Sequence, residues 1–130
     1  MKALLVVAHG SRRKASNDEV RALCRRIEQE SAGEEFFLVR AGFLELAEPS
    51  IPEGIGQCIE AGADQVVVLP YFLSAGRHVS EDIPLEVEKA RQHHPRASIV
   101  LAPYLGSAPG VAGLLIELAG GGKRNDDSAE

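Results

Sequence analysis

Three side chains able to bind a metal ion or carry a proton near neutral pH stand out in this sequence: His9, Glu45 and His78. His9 directly follows the apolar run Ala3 to Ala8. Glu45 lies shortly after Phe36 to Val39, and His78 lies beyond Val66 to Leu69. Two imidazoles and one carboxylate suit a first-row divalent metal such as cobalt, iron or nickel, and they leave coordination positions open. The same groups suit proton transfer. Each also has a plainer reading: His9 as a turn-bonding residue at a strand end, His78 as a solvated loop residue, and Glu45 as a surface carboxylate near a helix start. Around them lie Arg12, Arg13 and Lys14, just past His9, and Arg77, just before His78. Guanidinium and ammonium groups ringing a cleft fit a polycarboxylate or phosphate ligand. The alternative is ordinary solvated surface charge. Ser11 offers a hydroxyl for a ligand or for the loop, Gly10 permits a close turn, and Tyr71, Phe72 and Leu73 offer either an apolar wall for a flat ligand or packing under the loop.

These residues need a scaffold that brings them together, and the hydrophobic pattern supplies one. Short, wholly apolar runs read as strands buried on both faces. Strands are expected at Ala3–Ala8, Phe36–Val39, Gln65–Leu69 and Ser98–Ala102. Between them fall helical stripes: Val20, Leu23, Cys24 and Ile27; then Ile51, Ile55, Cys58 and Ile59; then Ile83, Val87 and Ala90; finally Val111, Leu114, Leu115 and Leu118. Ser16 with Glu19 and Ser50 with Glu53 have the spacing of capping boxes. Gly33 and Gly62 are expected helix stops. The third helix is expected to start near Ser80, and Ser107 is expected to cap the fourth. The order is βαβαβαβα, an α/β fold with an open, parallel, four-stranded sheet and helices on both faces. In such a sheet every strand-to-helix loop lies on the carboxyl edge, so His9, Glu45 and His78 share one rim, where open α/β folds bind ligands. His93 and His94 end the third helix at the opposite edge and are excluded from the site.

Composition narrows the field further. The chain has 130 residues and a net charge of −5, which argues against a general nucleic-acid or membrane-surface binder. Its 45% hydrophobic content is ordinary for a globular domain. A single domain over 1–119 is expected, with residues 120–130 a disordered tail. Cys24 and Cys58 form neither a disulfide framework nor a CxxC motif and read as small buried hydrophobes. The start of the chain lacks a signal-peptide pattern, so the expected compartment is the cytoplasm.

The segments Leu5 to Arg12, Ala41 to Ile51 and Val67 to Pro84 together resemble the class II tetrapyrrole chelatases, and within them the short form of the sirohydrochlorin cobaltochelatase/ferrochelatase family. The resemblance covers roughly residues 1–118, and its third segment is the most specific. It implies insertion of a divalent metal (cobalt first, with iron or nickel as alternatives) into sirohydrochlorin, with no ATP and no organic cofactor. It implies that His9, Glu45 and His78 are the metal-binding and catalytic positions, and that the chain works as a homodimer. The macrocycle's carboxylates would be held by some of Arg12, Arg13, Lys14 and Arg77, with Ser11 nearby. Two other readings share parts of the pattern: a non-catalytic carrier of metal or tetrapyrrole, and a phosphohistidine-type phosphatase. The phosphatase normally has arginine where this chain has Ala8.

Overall fold

The computed structural model describes residues 1–31 and 34–129, with side chains to residue 121. Four strands, β1 (Lys2–Ala8), β2 (Leu38–Phe43), β3 (Gln65–Pro70) and β4 (Ser98–Leu101), pair in parallel in the order β2-β1-β3-β4. Four helices follow them: α1 (Lys14–Ser31), α2 (Ile51–Glu60), α3 (Ile83–His93) and α4 (Gly110–Ala129). Among the described residues no helix is long and apolar enough to cross a membrane.

The strand sequences explain the layering. Alternate side chains of a strand point to opposite faces, and β1 is apolar at every position from Ala3 to Ala8. Ala3, Leu5 and Val7 pack with Ile51, Ile55 and Cys58 of α2 and with Ile83, Val87 and Ala90 of α3. Leu4, Val6 and Ala8 face the other way, toward Cys24 of α1 and toward Val39, Ala41 and Phe43. The sheet is therefore covered by α2 and α3 on one side and by α1 on the other. Gly54 lets α2 sit close to β1, since a Cβ there would lie 2.9 Å from Leu5 Cδ1.

Several boundaries differ from those read in the sequence. The second strand is Leu38–Phe43, not Phe36–Val39, because β1 pairs with it through Ala8↔Phe43. Arg40 is tolerated mid-strand since β2 is an edge strand; its guanidinium reaches Glu28 at 3.6 Å. The Ser50–Glu53 capping box forms, and Gly62 at the end of α2 has φ +117°. The Ser16–Glu19 box does not form, because α1 already starts at Lys14 and leaves Ser16 inside the first turn. A side chain further along performs the closure: buried Asn17 accepts from Ser11 N at 3.0 Å and donates to Ser11 O at 2.8 Å. The third helix opens with a π-helical turn, His78–Asp82, two residues earlier than expected. Ser107 does not cap α4; it closes a short 3₁₀ turn, Leu105–Ser107, by donating to Tyr104 O. The expected α4 stripe does not enter the core, and Leu114, Leu115 and Leu118 are exposed. The α4 backbone is helical through Gly120–Gly122 to Ala129, so no break in the helix marks residue 119. The expected helix stop at Gly33 lies outside the described residues.

Candidate metal-handling site

The loops after β1, β2 and β3 meet at the carboxyl edge of the sheet. β1 and β3 are neighbours there, and their chains then depart in opposite directions, α1 toward β2 and α3 toward β4. Such a divergence opens the crevice in which doubly wound folds bind ligands. His9 and His78 flank it.

Backbone bonds continue the sheet beyond its strands and fix this rim. Leu44 N donates to Ala8 O at 3.0 Å, Glu45 N to His9 O at 3.1 Å, and Tyr71 N to Val7 O at 2.8 Å. Gly10, at φ +96°, is what allows the first loop to lie against the second: a Cβ at that position would collide with the backbone carbonyl of Glu45. His9 and Glu45 thus face each other because their backbones are already held together.

The side chains complete the cluster. His9 Nε2 lies 3.3 Å from Glu45 Oε2. The His9 and His78 rings meet edge to face, with centroids 4.8 Å apart. His9 Nδ1 is 3.0 Å from Gly10 O, and His78 Nδ1 is 2.7 Å from Asp82 Oδ2. A carbonyl or carboxylate oxygen only accepts, so both Nδ1 atoms carry the proton, and Nε2 is the ring atom left to act as a ligand. The His9 Nε2 and Glu45 Oε2 lone pairs then need a positive centre between them, either a proton or a metal cation. Asp82, one helical turn beyond His78, is the carboxylate partner commonly seen behind a ligating imidazole. Contacts here are pairwise. Among the described residues no three His, Cys, Asp or Glu side chains are arranged as a ready-made metal cage.

All three groups are accessible, with side-chain exposures of 43% for His9, 56% for Glu45 and 45% for His78. A cleft of about 360 Å³ adjoins them, lined by Glu45, His78 and Asp82 and by Leu44, Ile51 and Leu85. A slightly larger cleft of about 420 Å³ lies between α1 and β2; Arg21, Arg25, Glu28 and Arg40 line it and neither imidazole does. The chemistry, not the volume, locates the site. The rim also exposes apolar surface: Tyr71, Leu73 and Leu46 are 39%, 71% and 53% exposed. Phe72 stands with its ring centroid 6.4 Å from that of His78.

Of the basic residues, Arg12, Arg13 and Arg77 are exposed, while Lys14 is paired with Asp18 at 2.8 Å. Ser11 is occupied by the loop, its Oγ accepting from Arg13 N at 3.0 Å. His93, outside the cluster, bonds Lys89 O near the end of α3. Cys24 and Cys58 are free and buried, and burial pushes both thiols up to about 11. Two features of the rim are not legible in the sequence. Asp82 stands four residues after His78, and Leu46 exposes its side chain at the rim from a backbone φ of +67°.

The fold and rim define a parallel α/β domain of the doubly wound class, with two histidines and a carboxylate at its switch point. The family profile CbiX matches residues 3–120, and the chain belongs to that family. A sirohydrochlorin cobaltochelatase of Methanopyrus kandleri is 34% identical over 90% of this chain and 94% of its own length. A sirohydrochlorin ferrochelatase of Priestia megaterium is 32% identical over 90% of this chain. The chain spans only 43% of that relative's length. In structure, a putative cobalamin biosynthesis CbiX protein of Marinobacter aquaeolei is similar with a TM-score of 0.78 and 26% identity, over 96% of this chain and 99% of that one.

Proposed function

We propose that this chain inserts a divalent metal, cobalt in the first instance and iron or nickel as alternatives, into sirohydrochlorin without ATP or an organic cofactor. The observation that carries the reading is the facing pair His9 Nε2 and Glu45 Oε2 at 3.3 Å, with the His78 ring against His9. The names of the relatives, cobaltochelatase and ferrochelatase, support the same chemistry.

In this reading the metal is a substrate. His9 and His78 take it through Nε2, and it replaces the positive centre that the His9–Glu45 pair requires. A chelatase has to release its metal to the macrocycle, so an open, incomplete donor set suits the task better than a closed cage. The flat ring lies against the apolar rim of Tyr71, Phe72, Leu73 and Leu46. Arg12, Arg13, Lys14 and Arg77, with Ser11 beside them, hold its carboxylates. Insertion of a divalent ion frees two pyrrole protons; Glu45, or a histidine once the metal has left it, accepts one, and solvent at this exposed edge takes the other. Residues 1–119 form the chelatase-like domain, 120–130 are a tail, and two copies form a homodimer. The buried, unpaired thiols suit a reducing cytoplasm.

The test is an anaerobic absorbance assay with sirohydrochlorin and cobalt, iron or nickel in turn. Many turnovers per chain, lost by at least a hundredfold in His9→Ala and His78→Ala, are expected, in line with the cost of removing a group that acts in the reaction. A spectral change that stops at one equivalent would show a carrier, and wild-type rates in both variants would sink the assignment.

A further inference from the structure

One face of the sheet is finished and the other is not. On the α1 side, α1 lies over β2 and the adjoining part of β1. Beyond it, Val67 and Leu69 of β3 are only partly buried, and Val100 of β4 is 37% exposed. The pairings Leu4↔Val67 and Val67↔Val100 put these residues side by side on one face. The same chain carries the opposite defect. α4 packs mainly on the short turn Leu105–Ser107, and its Leu114, Leu115, Ile116 and Leu118 are 57%, 62%, 73% and 71% exposed.

We propose that α4 is exchanged between two copies of this chain, each α4 covering the bare β3–β4 face of the other copy. Four features favour a second copy as the occupant. The bare helix and the bare sheet face are the two halves of one missing layer. α4 leaves from a fixed point, because Gly106 N is bonded to Phe72 O at 2.9 Å and a Cβ on Gly106 would collide with the Leu73 backbone. Val111, Leu114, Leu115 and Leu118 form one stripe while Ile116 lies on the opposite side, and a helix apolar on both sides is one meant to be enclosed. From Gly110 to Gly121 the only charge is Glu117.

Size agrees as well. Two reciprocal helices, each burying the stripe of Val111, Leu114, Leu115 and Leu118 and the sheet face beneath, cover on the order of 1,500 Å², a standard specific interface. The match to only 43% of the Priestia relative also leaves room in that longer chain for a second unit of this length. The exchange rests on the homodimer proposed above and is independent of the metal chemistry.

The test uses the full chain. Light scattering gives its mass, and Val100→Cys is combined in turn with Leu114→Cys, Leu115→Cys and Leu118→Cys, then oxidised. The native thiols are buried and stay out of the reaction. A twofold mass for the parent chain and a covalent dimer with at least one pair are expected. Leu114→Asp/Leu118→Asp is expected to halve the mass at the same concentration with unchanged far-UV dichroism. A twofold mass with only internal disulfides, with no cross-link from any pair, or unchanged by the aspartates overturns the exchange while leaving the homodimer. A single-chain mass overturns both.

Discussion

Replacing Gly10 with alanine tests the idea that the site is built by one close approach between two loops. Gly10 holds φ +96°, and its missing side chain makes room for the Glu45 carbonyl. An L-residue in left-handed backbone costs about 1–2 kcal/mol. The collision is with backbone, so the loops have to part, and the Glu45 N to His9 O bond at 3.1 Å is lost with them. That bond contributes about 1 kcal/mol. Alanine recovers about 0.5–1 kcal/mol by restricting the unfolded chain. The net destabilisation is about 1–2.5 kcal/mol, a sizeable share of the roughly 5–15 kcal/mol that holds a domain together. At about 3–5 °C per kcal/mol for a chain of this size, the thermal midpoint falls by about 3–12 °C. Far-UV dichroism on heating measures it. Gly76→Ala is the control: a Cβ there meets nothing within 4 Å, and a change within about 0.5 kcal/mol is expected. Because the parted loops separate His9 from Glu45, metal insertion falls in Gly10→Ala even at temperatures where the fold persists. Equal midpoints for the two variants would refute the reasoning.

Two further outcomes follow from the same geometry. Asp82→Ala removes the carboxylate that sits 2.7 Å from His78 Nδ1. The KM for metal is expected to rise about 10–100-fold, as with other outer partners of ligating imidazoles, with the KM for the tetrapyrrole unchanged; an unmoved metal KM would show that Asp82 does not orient His78. Cys24 and Cys58 are pushed up to about 11 by burial, so at pH 8 they remain thiols. Native protein is expected to resist alkylation by iodoacetamide, and both residues to react once it is unfolded; rapid labelling of the native protein would contradict their burial.

Why the shared rim of His9, Glu45 and His78 is legible in the sequence and its surroundings are not follows from what each depends on. His9 was readable because six consecutive apolar residues specify a central strand, and topology alone then fixes which edge its end reaches. Glu45 and His78 inherit the same edge from the βα alternation. The sequence puts His78 in a loop, two residues ahead of the helix start expected near Ser80, so its i,i+4 pairing with Asp82 is not legible there. The Ser16–Glu19 box failed because a capping motif competes with any longer-range bond that starts the helix sooner. Here Asn17 reaches back to both polar groups of Ser11 and sets α1 at Lys14. Periodicity also identified the apolar stripe of α4 but gave no hint of where that stripe goes. An amphipathic pattern states that a face must be buried, not whose surface buries it. The four leucine and isoleucine side chains of α4 stay more than half exposed in the single chain, which makes the helix a demand for a partner that the sequence of one copy states but does not meet.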